Sequence, residues 1–406
     1  MAIINFKMKR PEIWQKNLIA LAVSQFFYRA GTRSLIPFLP LFIHDLGRTS
    51  ATSTAIWSGW IFAAPFIVSF FTTPLWGSFG DKFGRKLITL LAVFGFAASQ
   101  FLMGLSSNLT QLLIFAALQE IMGGCYPAAI SLTASNTPKE KTAYALGIIQ
   151  FANGSGNVVG PIIGGILADL FGYRDVFFLV ALTVALSGLL VLFFVEEENF
   201  ELKKHFYYSF INNWRHIFTK RVLLSCGFFL LIYSLSVSML RPTFSLFIQS
   251  LDFNARTSTL TGILLGVYGG TSAVASALFG KFLQKFGIKS LTFYTVLIAS
   301  LSSILIAASS TITMISVFLI LSGFSLGLIL PLIYTLLTNN TESDRKAGVF
   351  GIGSSFQIIG NLVGSAFSGL IVASLGISAP FVVAGLLFLF VIPISKFGLQ
   401  MNASKP

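Results

Sequence analysis

Long runs of apolar residues alternate along the chain with short polar segments. An α-helix needs roughly 20 apolar residues to cross a hydrocarbon layer of about 30 Å, and continuous runs favour helices over the alternating strands of a barrel. The pattern predicts twelve transmembrane helices, at about 17–43, 56–79, 87–106, 109–134, 143–168, 175–195, 221–250, 259–282, 288–308, 311–338, 347–373 and 378–396. The sequence therefore predicts an all-α integral membrane protein in the lipid bilayer.

Composition and charge agree with this prediction. Hydrophobic residues make up 55% of the chain and charged residues 10%, and the net charge is +13. With the amino terminus in the cytoplasm, 21 of the 27 Lys and Arg residues fall on the cytoplasmic side and three, Arg48, Arg174 and Arg256, on the opposite side. This asymmetry is the positive-inside rule, so we expect a multi-pass protein of the inner (cytoplasmic) membrane with both termini cytoplasmic and no nucleic-acid partner.

One long polar segment, residues 196–220, separates two halves that repeat each other. IPFLPLFI (36–43) returns as RPTFSLFI (241–248). At an offset of 204 residues, Asn136, Thr137, Gly147, Gly156, Asn157, Gly160, Gly165 and Gly172 return as Asn340, Thr341, Gly351, Gly360, Asn361, Gly364, Gly369 and Gly376. We predict two pseudo-symmetric six-helix bundles, residues 1–195 and 221–406, joined by a cytoplasmic linker at 196–220, with a substrate site between them.

The loop after the second span carries closely spaced glycines and charges. It resembles the loop signature of the major facilitator superfamily, and a degenerate copy begins at Gly280 after the eighth span. The signature reads Gly77-Ser-Phe-Gly80-Asp81-Lys82-Phe-Gly84-Arg85-Lys86. The resemblance implies the major facilitator fold, in which Gly77, Asp81, Gly84, Arg85 and Lys86 latch the cytoplasmic side when the carrier opens outward.

The fifth span carries the glycine pattern that is associated with the antiporters of that superfamily. Its members are Gly147, Gly156, Gly160, Pro161, Gly164 and Gly165. Small residues four apart allow close helix contact, and a proline bends the helix. Over all twelve spans the chain is most similar to the twelve-helix drug:proton antiporters of the bacterial multidrug-resistance and siderophore-exporter type, which implies proton-coupled efflux.

Two departures from these antiporters bear on the substrate. Ala116 occupies the place of the arginine that takes part in proton transfer in such carriers, and the first span has Arg29 and Arg33 where several drug carriers have an acidic residue. A pump for cationic drugs therefore fits the sequence poorly.

Arg29, Arg33 and Arg241 lie inside apolar spans. A charged side chain at that depth costs at least a few kcal/mol, so it normally faces a water-filled cavity. Glu120 is the only one of the 14 Asp and Glu residues deep in a span, which leaves an excess of positive charge and indicates an anionic substrate. The structural alternative is an Arg29–Glu120 pair without substrate contact, with Arg33 and Arg241 reaching the membrane interface.

Guanidinium groups bind carboxylates through two parallel hydrogen bonds. We hypothesise that the three arginines bind substrate carboxylates while Glu120 alternates between pairing with an arginine and holding a proton. Other polar residues complete the site or form hydrogen bonds between helices. These are Gln25, Tyr28, Gln119, Tyr126, Gln150, Asn153, Asn157, Gln357 and Asn361.

Cysteine and histidine usage indicates no metal site and no cofactor. Cys125 and Cys226 lie in apolar runs without a Cys/His spacing, and the three histidines are in loops or at span ends. We therefore expect a transporter and not a membrane-embedded enzyme or a receptor. We also expect the transporter to be a monomer. The expected cargo is a small organic anion, such as a polycarboxylate siderophore or an amphiphilic drug, exported against protons; the alternative is inward symport of a carboxylate or an iron-loaded siderophore.

Overall fold

The computed structural model describes residues 13–48, 50–121, 125–197, 221–251, 256–341 and 346–399, with side chains except at 74–83, 125–127, 221, 346–348, 350 and 392–399. The regular structure of these residues is helical throughout. The helices are α1 (Ile13–Ser34), α2 (Leu39–Gly47), α3 (Ala51–Phe83), α4 (Arg85–Leu105), α5 (Leu109–Ile121), α6 (Cys125–Asn136), α7 (Thr142–Phe171), α8 (Tyr173–Phe194), α9 (Arg221–Ser250), α10 (Thr257–Ala307), α11 (Ile312–Asn339), α12 (Lys346–Leu375) and α13 (Ala379–Leu399), with a 3₁₀ turn at Lys139–Lys141.

These helices account for the twelve predicted spans. Helices α1 and α2 form the first span, and α5 and α6 form the fourth. Helix α10 contains the eighth and ninth spans, because Gly287 interrupts it with a φ of 69° and a ψ of 163°. Among the described residues, eight helices are long and apolar enough to cross a membrane, and two shorter apolar helices accompany them. The predicted all-α, twelve-helix fold class is confirmed.

The first span is broken by a turn. The backbone N–H groups of Phe38 and Leu39 both donate to the carbonyl oxygen of Leu35, at 3.2 and 2.8 Å. Pro37 lacks an N–H group and disfavours the helical conformation at the residue before it, so α1 ends at Ser34. The apolar run predicted at 17–43 thus folds as two helices.

Left-handed glycines mark the repeat in the backbone. Gly84 and Gly172 in the first half have φ angles of 93° and 88°, and Gly287 and Gly376 in the second half have 69° and 93°. Glycine adopts such angles without the steric cost that a Cβ imposes. Since the members of each pair are 203 and 204 residues apart, the same tight connections recur in both halves, as the sequence repeat predicts. The domain boundaries at 195 and 221 remain predictions, because residues 198–220 lie outside the described part.

Hydrophobic packing is organised by halves. Two clusters of buried residues fall within residues 18–195 and two within 223–391. A further cluster of described residues, Leu41, Ala55, Leu246 and Val372, joins the halves. It lies at the end of the molecule opposite to the start of α1 and the end of α13, which we call the far side; the other end is the terminal side.

Glycines bring the two halves into backbone contact near the far side. A Cβ on Gly165 of α7 would lie 2.1 Å from the carbonyl oxygen of Ser258 in α10, and one on Gly262 would lie 2.3 Å from that of Pro161. On the other flank, a Cβ on Gly369 of α12 would lie 2.3 Å from the carbonyl oxygen of Ala55 in α3. We call these two helix contacts the far-side seal.

A hydrogen bond between the halves completes the seal. The carboxylate of Asp169, at the end of α7, accepts a bond of 2.7 Å from the backbone N–H of Thr259 in the first turn of α10. The α10 N-cap residue, Arg256, provides no side-chain cap. A negative charge stabilises the positive end of a helix dipole, so the first half caps a helix of the second half.

Replacing Gly165 by Ala is expected to open the far-side seal. The new Cβ collides with the Ser258 carbonyl. Overpacking of this kind costs about 1–3 kcal/mol, which shifts a two-state equilibrium by about 5- to 150-fold. The measurement is the labelling rate of Ala55→Cys by a water-soluble maleimide, with Cys125 and Cys226 replaced by Ser.

Gly154→Ala is the matched control. Gly154 lies on the same helix, and an added Cβ there meets no atom within 4 Å. Equal labelling rates in the two variants would contradict the role assigned to Gly165.

Candidate functional site

Two arginines of the first span are held by two asparagines of the fifth. The Arg29 Nε–H donates to Oδ1 of Asn153 at 3.1 Å, and the Arg33 Nε–H donates to Oδ1 of Asn157 at 2.9 Å. The Asn153 amide in turn donates to the carbonyl oxygen of Ile149 at 2.9 Å. These bonds hold each guanidinium group against α7 through its Nε–H.

The antiporter-pattern glycines make these bonds possible. A Cβ on Gly156 would lie 2.7 Å from Cβ of Arg29, and one on Gly160 would lie 2.5 Å from the carbonyl oxygen of Ala30. A Cβ on Gly164 would lie 2.1 Å from the carbonyl oxygen of Ser34. Three glycines one turn apart therefore let α7 lie directly against α1.

Gly165 and Pro161 face the other way and belong to the far-side seal. Gly147, near the terminal side of α7, has open space around it. Helix α7 thus uses one face to position the arginines and another to join the halves.

Arg241 approaches the same region from the second half. Arg33 interacts electrostatically with Arg241 and Arg29, and with Tyr268 and Tyr233. Arg241 interacts with the same two tyrosines. All five side chains are partly exposed although they belong to the middle of apolar spans. We call them the central cluster: Arg29, Arg33, Arg241, Tyr233 and Tyr268.

Glu120 lies near the central cluster without joining an ion pair there. It interacts electrostatically with Arg29, but the described residues contain no direct Glu120–Arg29 ion pair. Its backbone carbonyl accepts a bond of 3.3 Å from the hydroxyl of Thr72. The hypothesised pairing of Glu120 with Arg29 is therefore absent from this conformation.

Several of the predicted polar site residues make packing or interhelical contacts. Gln119 accepts a bond of 2.9 Å from Gln100. Tyr28 is buried, with its ring 5.0 Å from that of Phe96, and Gln25 is fully buried. Gln150 is exposed near the terminal side of α7. The Tyr126 side chain lies outside the described residues.

In the second half, Gln357 accepts a bond of 3.3 Å from the hydroxyl of Tyr334. The Asn361 backbone carbonyl accepts one of 3.1 Å from Ser238. Tyr334 also interacts with Tyr233 of the central cluster. It therefore connects Gln357 to that cluster.

The sequence reasoning missed Tyr233, Tyr268 and Tyr334 because it considered mainly charged groups and amides. A signal was present: each of these tyrosines falls well inside a span. Most membrane tyrosines place the hydroxyl at the water interface, and a phenol at mid-depth requires a polar partner.

The loop signature is anchored to the end of the sixth span. The backbone N–H groups of Arg85 and Lys86 donate to the Glu197 carboxylate at 2.8 and 3.0 Å. The Arg85 guanidinium also donates to the carbonyl oxygen of Ser131 at 3.2 Å, and Lys86 Nζ to that of Leu192 at 2.9 Å. The side chains of residues 74–83, among them Asp81, lie outside the described part of the structure. The predicted latch therefore stays a prediction.

The segment just before the linker is held as well. Asn17 donates to the carbonyl oxygen of Glu196 at 2.8 Å and accepts from its N–H at 3.0 Å, and Asn136 also donates to that carbonyl. Glu196 and Glu197 therefore connect the terminal-side ends of α1, α4, α6 and α8. Sequence reasoning assigned both residues to the linker only.

Two six-helix bundles with arginines from both of them at the centre define a membrane carrier of the alternating-access class. The chain belongs to the major facilitator superfamily, whose profile matches residues 21–260 and 228–400. It is a secondary transporter and a multi-pass membrane protein. The predicted family, and the prediction that the chain is not an enzyme, are confirmed.

Relatives cover almost the whole chain. The multidrug resistance protein MdtG of Enterobacter lignolyticus (strain SCF1) is 30% identical over 381 residues, which are 94% of this chain and 91% of that protein. A bacterial homologue of the human lysosomal transporter Spinster, in an inward-facing and unoccupied conformation, has a TM-score of 0.81 at 16% identity, over 96% of this chain and 98% of that one. The nucleoside transporter NupG has a TM-score of 0.80 at 12% identity, over 95% and 99%. At these identities the two structures show the fold alone.

Replacing Asn157 by Asp is expected to weaken anion binding. The substitution places a carboxylate where the Asn157 oxygen lies 2.9 Å from Arg33 Nε. This carboxylate competes with an anionic ligand for the same guanidinium. Loss of one charge-assisted bond costs about 1.5–3 kcal/mol, which is roughly tenfold or more in affinity. The measurement is the concentration of 2-naphthoate at which the increase in melting temperature of the purified protein is half of its maximum.

Asn108→Asp provides a control of equal charge. Asn108 caps α5 at the far side, where its Oδ1 accepts a bond of 2.9 Å from the N–H of Gln111 and an aspartate can keep that bond. If both variants respond to 2-naphthoate as the unmodified protein does, Arg33 does not bind the anion.

Proposed function

We propose that the protein exports a small organic anion in exchange for protons, by alternating access. Two kinds of support converge on this proposal. The relatives that cover the chain are multidrug resistance proteins, and the centre of the molecule carries arginines where a pump for cations would need carboxylates. We place the protein in the inner membrane as a monomer, with the terminal side facing the cytoplasm.

The observation that carries the proposal is the approach of Arg33 and Arg241 from opposite halves. Two guanidinium groups repel each other in a poorly solvated cavity, and an anion between them removes the repulsion and supplies two acceptor groups. Substrate binding is therefore coupled to the distance between the halves. That coupling is what a carrier needs to change conformation with its cargo bound.

Glu120 is the residue that we assign to proton coupling. With three arginines and one deep glutamate, an ionised Glu120 offsets part of the positive charge when the cavity is empty. Protonation of Glu120 leaves Arg29 available to an anionic substrate, and release of the substrate favours the ionised carboxylate again. The electrostatic interaction of Glu120 with Arg29 supports this assignment.

The far-side seal fits the same cycle. Close packing joins the halves near the far side, and we propose that cargo reaches the central cluster from the terminal side. Cargo entering from the cytoplasm would meet the arginines before the seal opens outward. Polycarboxylate chelators such as siderophores and amphiphilic anionic drugs both carry the required charge.

Everted membrane vesicles test the proposal. With the vesicle lumen acidified, we expect uptake of radiolabelled 2-naphthoate or citrate by vesicles that contain the protein. Arg33→Lys should reduce this uptake by about tenfold or more, because an ammonium cannot replace the two-bond geometry of a guanidinium. Glu120→Gln should leave exchange of anions intact while removing the response to the pH gradient.

Arg256→Lys is the control, since Arg256 lies outside the cavity at the far-side start of α10. Anion uptake into right-side-out vesicles driven by external acid would instead support inward symport. Uptake of tetraphenylphosphonium without any anion uptake would overturn the proposal.

A further inference from the structure

The two halves contribute different chemistry to the cavity, although their helices repeat. A Cβ on Gly156 would meet Arg29 and Ala30 of α1, and a Cβ on Gly360 would meet Ser234 and Leu235 of α9. Arg29 in the first half therefore corresponds to Ser234 in the second.

The same comparison relates Arg33 to Ser238, which lie against Gly160 and Gly364. Ser234 and Ser238 are buried. The Ser238 hydroxyl donates to the backbone of α12. The first half thus presents guanidinium groups at positions where the second half has buried hydroxyls.

The second half presents phenols to the cavity. Tyr268 and Tyr233 interact with Arg33 and Arg241, and Tyr233 also interacts with Tyr334. The Tyr334 hydroxyl is 3.3 Å from Oε1 of Gln357. We call Tyr268, Tyr233, Tyr334 and Gln357 the phenolic wall; each of the four side chains is partly exposed.

The phenolic wall extends from the arginines toward the terminal side. With a rise of about 1.5 Å per residue, Arg241 lies about 14 Å from the far-side end of its helix and Tyr268 about 17 Å from that of its own. On the same measure Tyr233 lies at about 26 Å and Tyr334 at about 33 Å. Arg241 therefore lies nearer the far side than Tyr233 and Tyr334, so cargo that enters from the terminal side, as proposed, would pass these phenols before it meets Arg241.

A phenol and a guanidinium recognise different parts of a ligand. A tyrosine offers a flat apolar ring and a neutral hydroxyl that donates or accepts one hydrogen bond. It stabilises an apolar surface with a single polar group, and it does not balance a second full charge. A polyanion with more carboxylates than the arginines of the central cluster can bind would place the rest along this wall, whose four residues include no cation.

We propose that the cavity selects amphiphilic anions: one anionic end lies between Arg33 and Arg241, and an aromatic or other rigid apolar body with a distal hydrogen-bond donor lies along the phenolic wall, where the Tyr334 oxygen accepts from that donor while its own proton goes to Gln357. This inference rests on the proposed function and makes it more specific. It favours an amphiphilic anion over a polycarboxylate chelator as cargo. It also fixes the orientation, with the charged end leading toward the far side.

The test compares three anions in proteoliposomes with the complete protein. 6-Hydroxy-2-naphthoate has an anionic end, a rigid body and a distal donor; 2-naphthoate lacks the donor; citrate lacks the body. We expect KM to increase in that order. Tyr334→Phe should raise KM for the hydroxy compound about five- to tenfold, to the value for 2-naphthoate, because the hydrogen bond accepted by the Tyr334 oxygen is lost.

Tyr268→Leu should reduce the preference for 2-naphthoate over citrate, because the aromatic ring is lost while a similar apolar volume stays. Both substitutions should change the KM for citrate by a smaller factor than the KM for 6-hydroxy-2-naphthoate. Tyr294→Phe is the matched control, because Tyr294 is more than half exposed on the outer surface of α10. Melting temperatures of all variants show whether each one is folded.

The outcomes separate the two proposals. If citrate is transported as well as the naphthoates, or if Tyr334→Phe and Tyr268→Leu change KM for all three anions by the same factor, the phenolic wall does not select substrates while anion export stands. If none of the anions is transported and tetraphenylphosphonium is, anion export fails and this inference fails with it.

Discussion

A guanidinium group inside a membrane protein must exchange its water for protein partners or keep contact with a cavity. The chain satisfies this requirement twice in the same way, by giving the Nε–H of Arg29 and Arg33 to an asparagine of α7. The asparagines hold each arginine through a neutral amide oxygen. Much of the central architecture follows from this arrangement, because it needs α1 and α7 in direct contact.

Helix α7 shows how one glycine pattern serves two purposes. Gly156, Gly160 and Gly164 allow the approach to α1, while Gly165 and Pro161 meet α10 of the other half. The positions of the arginines and the closure of the far side therefore depend on one rigid element. A displacement of α7 at the seal is transmitted to the asparagines that hold the arginines, since a helix moves as a unit over two or three turns.

Much of the fold could be predicted because each membrane span corresponds to one contiguous apolar stretch of the sequence. The break at Leu35–Phe38 was less evident, because the apolar run continues through it and only Pro37 and Pro40 mark it. The repeated glycines revealed the two halves because backbone contacts and left-handed turns tolerate few other residues.

The site was predicted less completely, for physical reasons. Charged residues in apolar runs are conspicuous, so Arg29, Arg33 and Arg241 were identified, and so was Glu120. Which polar groups share one cavity is decided by contacts between distant helices. The partnership of Arg33 with Asn157, 124 residues apart, and the meeting of Tyr233 with Tyr268 are of this kind. Gln119 was placed in the site because its type fits, whereas the structure pairs it with Gln100.

The bonds made by Glu196 and Glu197 have a mechanical consequence. Four helices of the first half are fastened together where the chain leaves that half. A force that reaches the first half through Glu196 and Glu197 therefore acts on α1, α4, α6 and α8 together and not on α8 alone. Torque on this edge would turn the four helices as one block.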